Sequence, residues 1–264
     1  MRVIIEKNYE FMSKRAAEII AEQIREKPDS VLGLATGFTP LGTYKELIGM
    51  YKKEGLDFSR VTTFNLDEYY PIPSTHPQSY HYYMQKEFFK HININLDHTY
   101  ILDGLVKDVK AFCRWYEEEI RKAGGIDLQL LGIGRDGHIG FNEPGSSLGS
   151  RTRIKTLDAA TIKDNARFFG KKEDVPKYAI TMGVGTIMDA KRCLLLASGS
   201  DKSKVLTKAI EGPITAQVTA SILQMHKDLI VIADEKASRD LKNKDYYQHI
   251  EKLTEELKTL TIEE

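Results

Sequence analysis

The chain has 264 residues, 41% hydrophobic and 29% charged, the balance of an ordinary globular protein. Lys plus Arg and Asp plus Glu both total 38, so the net charge is zero and sequence-independent nucleic-acid binding has no electrostatic basis. The N-terminal MRVIIEKNYE is charged again by Glu6, no apolar run approaches the ~20 residues of a membrane span, and the two cysteines, Cys113 and Cys193, lack redox or zinc spacing. A cytoplasmic protein with no membrane or nucleic-acid partner is expected.

Short apolar runs alternate with amphipathic stretches. Residues 2–6 read as a strand, and Asn8 caps a helix whose Met12, Ala16, Ile19, Ile20 and Ile24 recur at helical spacing until Lys27-Pro28 stops it. Residues 31–35 read as a second strand, followed by a Thr-Gly-Phe-Thr-Pro turn and a helix through Tyr44, Leu47 and Ile48. Residues 61–66 form a third strand ending in Asp67-Glu68, then a proline-bearing loop over 70–77 and an aromatic-rich helix to His91. A helix over 106–122 leads to a buried strand over 126–133 and a Gly-rich loop over 134–149. Strands at 178–182, 193–197 and 229–233 and a charged C-terminal helix, or pair of helices, complete the series.

This alternation predicts an α/β fold, an open and mostly parallel sheet with helices on both faces. The runs LLGIG and CLLLAS do not alternate with polar residues, as befits strands buried on both faces. Without a repeat or a composition break, residues 1–264 read as one domain, with 239–264 a C-terminal helical extension. Ligands of such sheets bind beyond the carboxyl ends of the strands, where the polar clusters of this sequence fall.

Four clusters bear on chemistry. The turn Thr36-Gly37-Phe38-Thr39-Pro40, between a strand and a helix, offers amides and hydroxyls to a phosphate, or is a plain helix start with Thr39 as N-cap and Pro40 at the first helical position. Asp67 and Glu68 leave a strand pointing to opposite sides, so one can face a cleft while the other caps or pairs. The run GIGRDGHIGFNEP sets Asp136, His138 and Glu143 on a loop freed by glycines, where a carboxylate can orient an imidazole and raise its basicity. It contains no nucleophile elbow and no second histidine at ligand spacing, so neither covalent catalysis nor a metal is expected. Arg151, Arg153, Lys155, Arg167, Lys202 and Lys204 form a basic set, of which Lys202 follows a strand and opens a helix. The aromatics of residues 80–89 and Tyr69-Tyr70 read as core.

The stretches TGFTPLGTY, TTFNLDEYY, LLGIGRDGHIGFNEPGSSLGSRTRIKTL, NARFF, AITMGVGT and SGSDK together resemble the glucosamine-6-phosphate deaminase family, in register from near residue 1 to about 235. Related sugar-phosphate lactonases share Gly-x-Asp-Gly-His but do not usually continue with Asn-Glu-Pro. The resemblance implies a modified Rossmann-like three-layer sandwich and conversion of glucosamine 6-phosphate and water to fructose 6-phosphate and ammonia, without a cofactor. It casts Asp67 as the base at C2, His138 as the ring-opening group supported by Asp136 and Glu143, and Thr36, Gly37, Phe38, Thr39, Arg167 and Lys202 as the phosphate grip. A 6-phosphogluconolactonase-type hydrolase and a non-catalytic sugar-phosphate sensor are the alternatives. Two bases suit the chemistry independently: opening a hemiacetal calls for an imidazole titrating near neutrality, and the C2 proton needs a second base.

The cations after the loop repel one another unless neutralised, either by the acidic C-terminal helix or by an anion. In allosteric members of the family, residues matching Ser146, Arg153, Lys155 and Thr156 bind N-acetylglucosamine 6-phosphate between subunits of a hexamer. The resemblance therefore implies that effector and a homo-oligomer.

Overall fold

A computed structural model describes residues 1–171 and 174–262, leaving undescribed the side chains of residues 160, 164, 167, 168, 258, 259, 261 and 262. Seven strands make one sheet: β1 (Arg2–Glu6), β2 (Val31–Leu34), β3 (Thr62–Asn65), β5 (Thr99–Tyr100), β6 (Leu128–Gly132), β9 (Arg192–Ala197) and β10 (Leu229–Asp234). Their spatial order is β1-β10-β9-β6-β2-β3-β5, and every neighbouring pair is parallel. β2 and β10 are buried at every position, which requires cover on both faces. The fold is the expected open α/β sandwich.

The chain lays down β2, β3 and β5 in one direction across the sheet, then returns to the other side of β2 for β6, β9 and β10. The order of strands therefore reverses between β2 and β6, and the crevice beyond their carboxyl ends is where such a sheet places a ligand.

Local chemistry explains the helices. Asn8 Oδ1 accepts from the Phe11 amide (3.0 Å) and starts α1 (Tyr9–Glu26), whose Met12, Ala16, Ile20 and Ile24 face inward. Asp108 does the same for α4 (Val109–Lys122), so that helix begins three residues later than its apolar pattern suggested. α2 (Leu41–Glu54) opens after Pro40, itself the capping position, without a side-chain cap; Thr39 is not the N-cap and Pro40 is not inside the first turn. The remaining helices are α3 (Tyr80–Glu87), α5 (Ala159–Phe169), α6 (Val184–Met188), α7 (Ser203–Ile210) and α8 (Lys244–Ile262), the last one continuous helix rather than a pair. No helix among the described residues is long and apolar enough to cross a membrane.

The unforeseen element is a second sheet. β4 (Asp67–Tyr70), β7 (Arg153–Thr156) and β8 (Tyr178–Thr181) pair antiparallel in the order β4-β8-β7. The pivot is Leu66, whose amide donates to Leu34 O (3.0 Å) in the large sheet and whose carbonyl accepts from Met182 N (2.7 Å) beside the small one. Asp67 thus begins a strand of its own rather than trailing off β3. The basic run around Arg153 is a strand, β7, alternating half-buried and exposed residues. Among the described residues its cations do not pair with the C-terminal helix. Arg151 binds Glu117 (2.5 Å) of α4 and Asp189 (2.5 Å), whereas Glu251 and Glu255 of the C-terminal helix bind Arg2 and Arg15.

Candidate active site

A cleft of about 680 Å³ opens at the carboxyl ends of β2, β3, β6 and β9. Thr36, Gly37, Phe38 and Thr39 line it from the loop after β2, Asp67 from the step between sheets, Gly134, Arg135 and His138 from the loop after β6, and Lys202 from the turn after β9. The large sheet's switch point therefore gathers most of the residues singled out in the sequence. The side chain of Arg167 lies outside the described residues, although its helix α5 does reach the cleft through Thr161 and Asn165.

The β2 loop is tied from outside. Tyr83 Oη donates to Gly37 O (2.7 Å) and Tyr9 Oη to Phe38 O (2.9 Å), while the exposed Phe38 ring stacks on Tyr9. Both tyrosines thus hold loop carbonyls in place.

Asp67 and Glu68 separate as strand geometry demands. Glu68 turns away and accepts from the amides of Tyr69 (2.9 Å), Tyr80 (2.8 Å) and His81 (3.1 Å), capping α3. Asp67 is 93% buried by exposure (7% remaining) and stands opposite Thr181 of β8. Burial, reinforced by the neighbouring Glu68 charge and opposed by His138, raises its carboxyl to about 7. Glu68 also rises to about 7 because burial outweighs the amides that bond it.

The loop after β6 is built by close approach. The His138 ring lies flat on Gly134, where a Cβ would stand 2.4 Å from its Cε1 and Nε2. At Gly140, with φ of +56°, a Cβ would come within 2.9 Å of Thr181 Oγ1 and 3.5 Å of Asp67 Oδ2, so only glycine lets this loop cross over Asp67. Asp136 Oδ1 sits 2.7 Å from His138 Nδ1 and accepts from the His138 amide at 3.1 Å; Glu143 Oε2 is 3.5 Å from the same nitrogen. Burial disfavours the imidazolium, but these two carboxylates overcome it and raise His138 to about 9, while His138 holds Asp136 well below the usual carboxylate range despite its own burial. The imidazole is thus cationic at neutral pH, not poised near neutrality as its bare type suggests. Asp136, His138 and Glu143 offer ligand atoms within 4.8 Å of one another, the geometry of a cation site, but a protonated imidazole is no ligand.

Asn142, which carried no assigned role in the sequence, staples this loop. Its Nδ2 donates to Ile139 O (2.8 Å) and Met182 O (2.9 Å), and its Oδ1 accepts from Arg153 Nη1 (2.9 Å). Arg153 is therefore engaged with the loop behind the cleft. Ser146 is buried just after it, and Lys155 and Thr156 lie along β7; none of the four lines the cleft. Arg135, Thr161, Asn165 and Tyr80 do line it and were missed. Tyr80, read as core, packs with Tyr69 and Phe141 into a wall of the cleft.

Comparison with known proteins gives the family. The family model for glucosamine-6-phosphate isomerases/6-phosphogluconolactonase matches residues 6–232. A glucosamine-6-phosphate deaminase of Thermoanaerobacter sp. (strain X514) is 54% identical over 245 residues, 93% of this chain and 97% of its own. One from Halothermothrix orenii is 54% identical over 238 residues, covering 90% and 99% of the two chains. A solved structure described as a monomeric glucosamine-6-phosphate deaminase superposes with a TM-score of 0.89 at 48% identity, over 91% of this chain and 100% of that one. The 6-phosphogluconolactonase of Trypanosoma cruzi shares the fold alone, with a TM-score of 0.71 at 21% identity over 91% and 97% of the two chains. The chain belongs to the glucosamine-6-phosphate isomerase/6-phosphogluconolactonase family, among its glucosamine-6-phosphate deaminases.

Proposed function

We propose that this chain converts glucosamine 6-phosphate and water to fructose 6-phosphate and ammonia. The observation that carries this reading is the pair of unlike proton carriers on one cleft: a buried carboxyl at Asp67 held near 7 and a cationic imidazole at His138. In the reaction order, His138 protonates the ring oxygen O5 as the C1–O5 bond breaks, leaving an open chain with an electrophilic C1. O1, which gave up its hydroxyl proton to become the C1 carbonyl, takes a proton back as Asp67 removes the C2 proton, giving an enolamine; Asp67 then returns its proton to C1, and the C1=C2 double bond becomes a C2=N iminium. Water adds there and ammonia leaves. Asp136 and Glu143 position His138 and keep it charged. Thr36, Gly37, Phe38, Thr39 and Lys202, with Arg167, hold the phosphate, since backbone amides and cations are what a dianion needs.

The test is release of ammonia and fructose 6-phosphate from glucosamine 6-phosphate by the purified chain. Neither product would sink the proposal, and rapid opening of 6-phosphogluconolactone without ammonia would favour the lactonase reading. Gly134→Ala is expected to lower kcat/KM by about 100-fold with the fold intact, because the new methyl displaces the imidazole. Wild-type kinetics in that variant would show that the ring needs no support from position 134.

The proposal extends to regulation. Arg153 bonds Asn142 in the catalytic loop, so an anion drawing Arg153 towards Lys155 and Thr156 would act on the loop of His138 and Glu143. Ser146, buried with its hydroxyl unbonded among the described residues, is a ready donor. N-acetylglucosamine 6-phosphate is the proposed effector and a homo-oligomer, a hexamer in the regulated case, the proposed assembly; saturation curves with and without that compound test it.

A further inference from the structure

The loop between β2 and α2 has three of its carbonyls taken by tyrosine hydroxyls that come from three different helices. Tyr44 Oη of α2 donates to Ala35 O (2.5 Å), Tyr83 Oη of α3 to Gly37 O (2.7 Å) and Tyr9 Oη of α1 to Phe38 O (2.9 Å). Tyr9 Oη also accepts from the Gly42 amide (2.8 Å), and so supplies the cap that α2 lacks from its own capping residue. Burial pushes the Tyr44 and Tyr83 phenols well above their ordinary range, which keeps them protonated and donating.

A peptide unit is planar and trans, so the carbonyl of one residue and the amide of the next point in opposite directions. Pinning Ala35 O, Gly37 O and Phe38 O therefore aims the amides of Thr36, Phe38 and Thr39 away from the tyrosines. That side is the cleft, because residues 35–39 line it whereas Tyr9, Tyr44 and Tyr83 do not. Among the described residues these three amides donate to no protein acceptor, nor does that of Gly37, whose φ of +97° lets the loop turn. Successive inward amides make a concave anion site, whereas a carbonyl turned inward would set a partial negative charge against a dianion.

Building on the reaction proposed above, we propose that Tyr9 and Tyr83 are positioning residues for the phosphate group. From outside the cleft their hydroxyls hold the loop in the orientation in which its amides meet a phosphate monoester dianion. Tyr44 serves the first peptide in the same way from within the core. The hydroxyl alone carries the effect, since phenylalanine keeps the ring packing, including the stack of Tyr9 on Phe38 (6.1 Å between ring centres). Without the Tyr83 hydroxyl the peptide after Gly37 is free to rotate, because glycine accepts many backbone angles, and its amide is no longer held ready for the ligand.

Tyr9→Phe and Tyr83→Phe test this by isothermal titration with inorganic phosphate and with fructose 6-phosphate, which needs no turnover, alongside kinetics on glucosamine 6-phosphate. Each variant should bind both ligands about tenfold more weakly, as expected for the loss of one hydrogen bond to a charged group. KM should rise about tenfold with kcat within about twofold. Thermal melting separates this from a purely structural role: the free variants should melt close to the wild type, and phosphate should raise their melting temperature less. Tyr82→Phe, beside Tyr83 but exposed, is the control and should bind phosphate as the wild type does. A variant that melts lower yet binds both ligands normally, or one unchanged in every respect, would overturn the proposal, as would a loss confined to kcat. If the chain released no ammonia while the titrations behaved as expected, the proposed reaction would fail and the assignment of the tyrosines would stand.

Discussion

Asp67→Asn is expected to lower kcat by about 10³- to 10⁴-fold while KM for glucosamine 6-phosphate stays within a few fold. Asparagine keeps the shape and the polarity of the side chain but cannot accept a proton from C2. In the wild type the base works only when ionised, so kcat/KM should rise with pH through about 7, the value to which burial and Glu68 raise this carboxyl. The same perturbation makes a claim about stability. A carboxyl raised from 3.8 to about 7 binds its proton more tightly in the folded chain than in the unfolded one, so its stabilising contribution is full below the lower value and lost as pH rises through the upper one. Asparagine never ionises. The variant should therefore melt above the wild type at pH 8, with the gap narrowing towards pH 5. Parallel kinetics and thermal denaturation at the two pH values decide the matter. A variant that turns over normally removes Asp67 from the proton path, and one that melts lower at pH 8 contradicts the cost of burying the charge.

That trade is visible in the sequence only in part. Asp67 and Glu68 were recognisable as a pair bound to diverge, because adjacent residues of an extended chain point oppositely, and the outcome is one carboxylate in the cleft and one capping α3. The parallel sheet was legible for a similar reason: runs such as CLLLAS have no polar face, and only strands covered on both sides tolerate that. The small antiparallel sheet was not legible, because its three strands come from residues 67–70, 153–156 and 178–181, and pairing across such distances leaves no local period. β7 in particular reads as a basic loop, since Arg153 and Lys155 mask an alternation that only its partner strand explains. Thr161 reaches the cleft only through the packing of α5, whereas Arg135 and Asn165 stand within GIGRDGHIGFNEP and NARFF, where the Asp, His, Glu and Arg beside them carried the chemical reading. The orientation of α8 needed both levels: its apolar spacing is in the sequence, but Glu251 is held inward by Arg2 and Arg15 from the far end of the chain, with Tyr247 against the core, and Leu253 and Leu257 are left outward.

His138→Gln should lower kcat/KM on glucosamine 6-phosphate by about 10²- to 10³-fold, the range removed with a general acid, and should cost far less on a substrate that needs no ring opening. Glutamine can donate a hydrogen bond to O5 but has no proton to give as the C1–O5 bond breaks. The wild-type imidazole has one to give at neutral pH because Asp136 and Glu143 raise it to about 9 against the effect of burial. Activity should accordingly fall as pH rises through about 9, where the donor form is lost. Asp136→Asn should move that alkaline limb down towards 6.5, the imidazole's ordinary value, because it removes the carboxylate 2.7 Å from Nδ1. The decisive comparison uses an analogue lacking the 5-hydroxyl, which cannot close a six-membered ring, alongside the natural substrate. A ratio of losses of ten or more in favour of the open analogue assigns His138 to ring opening. Equal losses on the two would move His138 to the later proton transfers at C1 and C2, leaving Asp67 to share them.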